Sequence, residues 1–137
     1  MILFSSDLEL TLENKIIMNK LIIDVVSEKI FLMVITSNDI YNITKENTKI
    51  NYEKLTLIIN DFLNFHKLNL KDIDRIYLNR GPGSFAGIRN SLSIVKAFNI
   101  TNNIDYYCYS IQDFNGEKDV KYEISLICVI NLILKKI

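Results

Sequence analysis

A glycine-rich turn between two apolar patterns constrains the fold of this chain more than any other feature. The decamer RGPGSFAGIR, residues Arg80–Arg89, holds three of the four glycines and the only proline. The apolar run Arg75–Leu78 precedes it and is typical of a strand. Apolar residues follow at the spacing of one helix face, namely Phe85, Ile88, Leu92, Val95 and Phe98. The sequence therefore predicts a strand, a tight turn and the start of a helix.

The residue types of the turn allow two interpretations. Pro82 fixes its own φ, and Gly81 and Gly83 permit backbone conformations that are closed to other residues. Ser84 is a natural N-cap. Amide groups at a helix N-terminus can bind an anion, but many such turns need glycine only in order to turn. Neither common phosphate motif is present, because no Walker A sequence occurs and Gly87 lies one residue too late for a dinucleotide fingerprint.

The decamer resembles the Arg-Gly-Pro-Gly-Ser-Phe-Thr-Gly-Leu-Arg signature of the TsaB (YeaZ) family. Ala86 stands where Thr is usual and Ile88 where Leu is usual. After the signature, Asn90 and Ser91 stand where the family has an aliphatic residue and glycine. The signature is specific to the family, and two of these departures, Ala86 and Ile88, lie within it.

Weaker similarities extend the resemblance on both sides of the signature. The segment Leu21–Asp24 is similar to the opening strand of the family, and Asn69–Ile76 to its approach to the signature. Glu53 and Leu55 fit the first-helix pattern. The resemblance covers residues 21 to 114.

The resemblance implies a role in making threonylcarbamoyladenosine (t6A) at position 37 of tRNA. It implies a non-catalytic subunit that docks onto a TsaD-like catalytic partner, with a TsaE-like ATPase as a further partner. Metal-binding histidines would belong to the partner, so no cofactor, metal or catalytic residue is expected in this chain. A homodimer in the absence of the partner is left open.

The order of elements predicts an α/β fold of the type β-β-β-α-β-α-β. The resemblance implies one lobe of the actin-like, sugar-kinase-like ATPase fold. Three domain segments are expected: an N-terminal extension at 1–19, the lobe at 20–109, and at 110–137 a remnant of a second lobe that is otherwise largely missing. The predicted elements are strands at Leu21–Val26, Lys29–Ser37, Ile40–Thr44, Arg75–Leu78 and Tyr106–Tyr109, one helix at Tyr52–His66, and a second helix that ends near Asn99.

Composition excludes some classes of function. The formal net charge is zero and Lys and Arg are scattered, which argues against direct nucleic-acid binding. Cys108 and Cys128 lie too far apart for a local metal knuckle and are expected to be buried thiols. No signal peptide is expected, because Asp7, Glu9 and Glu13 argue against one, and the apolar stretch Ile124–Leu134 is too short to span a bilayer. A cytoplasmic protein with no membrane partner is therefore expected.

Few side chains suit catalysis. His66 is the only histidine and is expected at a helix end. Asp24 ends the first strand, but Val25 and Val26 follow it where the family often has hydroxyl residues. Because valine offers no hydroxyl to a phosphate, Asp24 is expected to be a turn or hydrogen-bonding residue. The alternatives to the role of a non-catalytic subunit are a stand-alone actin-fold small-molecule kinase or peptidase, or a decayed remnant without activity.

Two groups of residues are candidate binding sites. Both helix patterns are apolar over more than the one stripe that packing on a sheet requires, which suggests a docking surface. The candidate docking residues are Leu55, Leu57, Ile58, Leu92 and Ile94. The candidate partner- or anion-binding residues of the glycine turn are Arg80, Gly81, Pro82, Gly83, Ser84, Phe85, Gly87 and Arg89.

Overall fold

The computed structural model describes residues 18–110, which form a five-stranded mixed sheet with helices on one face. The strands are β1 (Lys20–Asp24), β2 (Lys29–Ile35), β3 (Ile40–Glu46), β4 (Arg75–Asn79) and β5 (Asp105–Tyr109). The helices are α1 (Lys49–Glu53), α2 (Leu55–Phe65) and α3 (Phe85–Asn102), with a 3-10 turn at Leu70–Asp72. The predicted order β-β-β-α-β-α-β is confirmed, except that its first helix is divided in two.

The strand order in the sheet is β3-β2-β1-β4-β5. The first three strands form an antiparallel meander, in which short turns suffice to connect neighbours. β4 lies parallel to β1, with Leu21 opposite Ile76 and Ile23 opposite Leu78, and β5 lies parallel to β4. Each parallel pair needs a crossover, and the helical segments supply it. The carboxyl ends of β1 and β4 therefore meet at one edge.

The first helical segment differs from the prediction of one helix at Tyr52–His66. α1 begins earlier because Thr48 is its N-cap, and the Thr48 hydroxyl accepts a hydrogen bond from Asn51 N at 3.2 Å. Lys54 leaves helical geometry at ψ 17° and separates α1 from α2. α3 continues past Asn99 to Asn102, where Asn103 ends it in the left-handed region at φ 56°.

The main core lies between the helices and one face of the sheet. Its members are aliphatic or aromatic side chains from every strand except β3 and β5, together with α2, α3 and the connectors; they include Leu21, Ile23, Leu32, Leu55, Ile59, Phe62, Ile76, Val95 and Phe98. A second buried cluster, on the opposite face, is Ile22, Phe31, Met33, Tyr77 and Tyr109. The alternation along β1, β2 and β4 accounts for this division, because successive side chains point to opposite faces.

The buried stripe of α3 differs from the predicted one at its start. Phe85, which the spacing placed on the apolar face of the helix and which is also a candidate binding residue, is 72% exposed. The buried residues are Gly87, Ser91, Val95 and Phe98. The stripe begins at Gly87 because the helix lies close to the backbone of Val25 there, and a larger side chain at that point would not fit.

Several expectations fall outside the described residues or need correction. Cys108 was expected to be buried but is exposed on β5, and Cys128 lies outside the described range. Asn19 was assigned to an extension, yet its main chain and side chain bond to the connector before β4 at Asp72 and Asp74. The remaining segments 1–17 and 111–137 lie outside the described residues. Between residues 18 and 110, no helix has the length and apolar character to cross a bilayer.

Candidate functional site

The glycine turn lies at the carboxyl ends of the parallel strands β1 and β4. This edge is where open α/β sheets commonly bind ligands. The turn follows Asn79 at the end of β4 and leads directly into α3 at Phe85. The sequence therefore places the signature at the edge that also carries Asp24, the last residue of β1.

A buried chain of hydrogen bonds joins the two strand ends. Asp24 is 1% exposed and Asn79 is 2% exposed. The Asp24 carboxylate accepts from Val26 N at 3.1 Å and from Asn79 Nδ2 at 3.2 Å, and Asn79 Oδ1 accepts from Gly81 N at 3.0 Å. The expectation that Asp24 is a hydrogen-bonding residue is confirmed. Asn79 was not identified from the sequence, although a polar residue that ends the apolar run of β4 was a usable signal.

The two glycines of the turn are required for different reasons. Gly81 has φ +106°, a region that side-chain-bearing residues rarely adopt. Gly83 lacks a positive φ, but a Cβ there would lie 2.1 Å from the carbonyl oxygen of Val26. The expected backbone constraint is thus confirmed at Gly81, whereas at Gly83 the constraint is close contact with the turn after β1.

The start of helix α3 also packs against the turn that follows β1. A Cβ at Gly87 would lie 2.5 Å from the carbonyl oxygen of Val25. Ser84 N donates to Val26 O at 2.8 Å, and Ser84 Oγ accepts from Gly87 N at 3.3 Å. The expected N-cap role of Ser84 is confirmed.

These contacts reduce the number of donors that the turn can offer to an anion. The amide groups of Gly81, Ser84 and Gly87 all donate within the protein. The Gly81–Pro82 peptide bond is cis. Because the three amides are already occupied, the geometry favours an architectural role for the turn over a phosphate site.

The outer surface of the turn is formed by exposed side chains. Arg80, Pro82 and Arg89 are exposed, as is Phe85. The Arg89 guanidinium carbon lies 5.3 Å from the centre of the Phe85 ring, within the range of a cation–π contact. These side chains can contact a partner without rearrangement of the backbone.

Arg89→Ala is expected to change the free energy of unfolding by less than about 1 kcal/mol, because an exposed cation–π contact contributes little. Urea unfolding of the variant and the parent chain measures this difference. If instead the variant unfolds with a loss of several kcal/mol, Arg89 stabilises the lobe and is not a surface contact residue.

The candidate docking residues separate into buried and accessible members. Leu55 is fully buried in the lobe's own core and therefore cannot contact a partner. Leu57 is 56% exposed, whereas Ile58, Leu92 and Ile94 are half-buried. Sequence reasoning missed Phe65, which is 82% exposed at the end of α2. The helical period alone could not distinguish Leu55 from Leu57.

Two further side chains of chemical interest within residues 18–110 are His66 and Cys108. No group of three His, Cys, Asp or Glu side chains could hold a metal there. His66 is the C-cap of α2, as expected at a helix end, and its ring stacks on Tyr41 with centroids 3.8 Å apart. Partial burial of the Cys108 sulfur raises the pKa of this thiol, although the cations Arg80 and Lys96 oppose the rise. The thiol is therefore mainly protonated at neutral pH.

Comparisons with known proteins agree on the type of lobe. Residues 45–112, just under half of the chain, match the family model described as TsaD, tRNA N6-adenosine threonylcarbamoyltransferase. YeaZ from Pseudomonas aeruginosa has a similar structure, with a TM-score of 0.63 and 19% identity, over 68% of this chain and 44% of that chain. A second structure, of an uncharacterized protein from the same organism with similarity to peptidase YEAZ, gives the same TM-score and identity over 68% and 43%. No curated protein matches the chain.

The comparisons confirm the fold and the resemblance on which it was predicted. The lobe has the actin-like ATPase fold in the form found in YeaZ, and the resemblance to the TsaB family holds. The chain spans less than half the length of the solved structures that it matches.

Proposed function

Because the lobe has the YeaZ fold and residues 45–112 match the TsaD family model, we propose that this TsaB-type chain is a non-catalytic subunit for t6A formation. It would dock onto a TsaD-like catalytic partner and hold it in an active arrangement. The proposal includes a TsaE-like ATPase as a further partner and a cytoplasmic location. It includes no direct contact with tRNA, in keeping with the zero net charge of the chain.

One observation carries the docking role: an apolar helix surface that the lobe's own core leaves accessible. Leu57 on α2 is 56% exposed although Leu55, two positions earlier, is fully buried. Ile58 lies beside it, and Ile58, Leu92 and Ile94 are partly buried against the main core but keep some accessible surface. We define the docking surface as Leu57, Ile58, Leu92 and Ile94.

Burial of this surface would favour association. Covering the exposed half of one leucine contributes about 1 kcal/mol, at the usual value per area of apolar surface. Four aliphatic side chains on two helices would supply the apolar centre of an interface. A carboxylate at the same place would be desolvated without a partner and would oppose docking.

Leu57→Glu is expected to weaken association with a TsaD-like protein at least about tenfold, which corresponds to about 1.4 kcal/mol. Co-purification of tagged chain and partner, followed by titration calorimetry, measures the change. Ile40→Glu is the matched control, because Ile40 is 52% exposed but lies on the opposite side of β3 from the helices.

Circular dichroism and a thermal melt establish that both variants are folded. The proposal requires that Leu57→Glu loses the partner while Ile40→Glu retains it. If a folded Leu57→Glu variant binds as tightly as the parent, the docking surface is misassigned. If the parent chain binds no TsaD-like protein at all, the proposed function fails.

A further inference from the structure

β3 is an outer strand of the sheet with one edge unpaired. It pairs with β2 over seven residues, from Ile35 opposite Ile40 to Lys29 opposite Glu46. The pairing is uninterrupted, so β3 contains no bulge, and it contains no proline or glycine. Natural edge strands usually carry a proline, a bulge or charged side chains to discourage further pairing, and β3 has only the charged Lys45 and Glu46 at its end.

The hydrogen bonds at the two ends of the hairpin determine which backbone groups of β3 point outward. Thr36 N donates to Asp39 O, and Asn47 N donates to Glu28 O. In an antiparallel pair, bonded and non-bonded positions alternate. The odd-numbered residues between Asp39 and Asn47 therefore bond to β2. The outward-facing residues are Ile40, Asn42, Thr44 and Glu46.

The outward edge is open over three residues. Glu46 O accepts from Asn51 Nδ2 at 2.8 Å, which closes that end. The N–H and C=O groups of Ile40, Asn42 and Thr44 have no outward partner within residues 18–110. Six backbone groups are thus available for another strand.

An apolar groove of about 510 Å³ lies beside this edge, between β3 and α2. The helix contributes mainly apolar side chains, and the strand contributes Ile43 from the face that packs on the helices. The apolar residues that line the groove are Ile43, Leu57, Ile58, Phe62 and Phe65. A strand added to β3 would direct every second side chain toward this groove.

The charges at one end of the groove are unbalanced. Lys45 and Lys54 both line this end, and neither forms an ion pair with another residue of the described range; Asp61, seven residues beyond Lys54 on α2, is the acidic residue of the lining. In contrast, the nearby Lys29 and Lys49 pair with Glu46 and Glu53. An incoming acidic side chain at this end would meet two exposed ammonium groups that have no competing partner.

We propose that β3 accepts an extended segment of a partner protein as a sixth strand of the sheet. Alternate side chains of that segment are apolar and enter the groove, and an Asp or Glu on the same face lies beside Lys45. In this mode of recognition the main-chain bonds give affinity and the alternate side chains give specificity. The proposal does not depend on the TsaD-like role, although Leu57 and Ile58 border both surfaces.

A labelled peptide tests strand addition on the full chain. The probe is the acetylated and amidated sequence Thr-Val-Thr-Val-Thr-Glu-Thr with a fluorescein label, followed by fluorescence polarisation. Two further peptides are N-methylated. In the first the Val and Glu amides carry the methyl groups, and in the second the internal Thr amides carry them. Only one of these two sets can face β3, so one methylated peptide is expected to lose at least about tenfold in affinity while the other binds like the parent peptide.

Variants of β3 provide the second measurement. Asn42→Pro removes an outward N–H without removing a bond to β2, and is expected to weaken binding at least about tenfold, whereas Asn42→Ala should bind like the parent. Lys45→Glu should weaken binding of the Glu peptide and improve binding of a peptide with Lys at that position. A thermal melt establishes that each variant is folded.

Three outcomes would overturn the proposal. One is no saturable binding at millimolar peptide, and another is equal binding of both methylated peptides, which would indicate side-chain contact alone. The third is that the chain forms a dimer, that Asn42→Pro converts this dimer to a monomer, and that the peptide does not dissociate it. A second copy of the chain, not a partner protein, would then occupy the edge of β3.

Discussion

Gly83→Val is expected to lower the free energy of unfolding by about 3 kcal/mol or more. The new Cβ would lie 2.1 Å from the carbonyl oxygen of Val26, which is a backbone atom and cannot move aside as a side chain can. Overpacking typically costs about 1–3 kcal/mol, and loss of the bond from Ser84 N to Val26 O would add about 1 kcal/mol or more. Urea unfolding followed by circular dichroism measures the change.

Ala86→Val is the matched control for that experiment. Ala86 lies three residues further on and is exposed, so the added methyl groups meet no buried backbone. The expected cost is below about 1 kcal/mol, mainly from helix propensity. If Gly83→Val and Ala86→Val unfold alike, the glycine turn is not packed against the turn after β1.

Asp24→Ala is expected to lower the free energy of unfolding by about 2–4 kcal/mol. It removes the acceptor for Val26 N and Asn79 Nδ2 in a buried site, and each unsatisfied buried group costs about 1–3 kcal/mol. Asp105→Ala, at an exposed position at the start of β5, should change this free energy by less than about 0.5 kcal/mol.

ATP binding and hydrolysis measured on the same Asp24→Ala protein distinguish a structural carboxylate from a nucleotide ligand. The parent chain is expected to show negligible hydrolysis of ATP. A variant that keeps the parent's stability but abolishes measurable ATP binding would show that Asp24 acts on a nucleotide and would contradict the buried network.

Local sequence signals predicted the strand, the turn and the helix start, because each depends on residues close together in the chain. Ser84 is an N-cap and Gly81 adopts positive φ for reasons that are visible within the decamer. The role of Gly83 was not predictable, since it depends on Val26, which is distant in sequence. The same limit applies to Asn79, whose partner Asp24 is 55 residues away.

The two helix surfaces show a second limit of sequence reasoning. An amphipathic period predicted helices that pack on a sheet, and the core confirms that prediction. The period could not say that Leu55 is buried while Leu57 is exposed, because Lys54 interrupts the helix and α2 begins anew at Leu55. Nor could the period say that Phe85, on the predicted apolar face, is exposed, since the close approach at Gly87 displaces the start of the buried stripe.

The hydrogen bond from Ser84 N to Val26 O also bears on the order of folding. Both the turn and the first residues of α3 take their form from contacts with the end of β1, so they can be completed only after β1 and β4 have paired. Contacts between residues so distant in sequence form slowly, because the intervening chain must first be closed into a loop. We therefore expect the signature segment to become ordered only after β1 and β4 have paired, although its sequence signals are local. Hydrogen exchange tests this expectation, because the amide proton of Ser84 should then exchange with solvent only when the sheet itself opens.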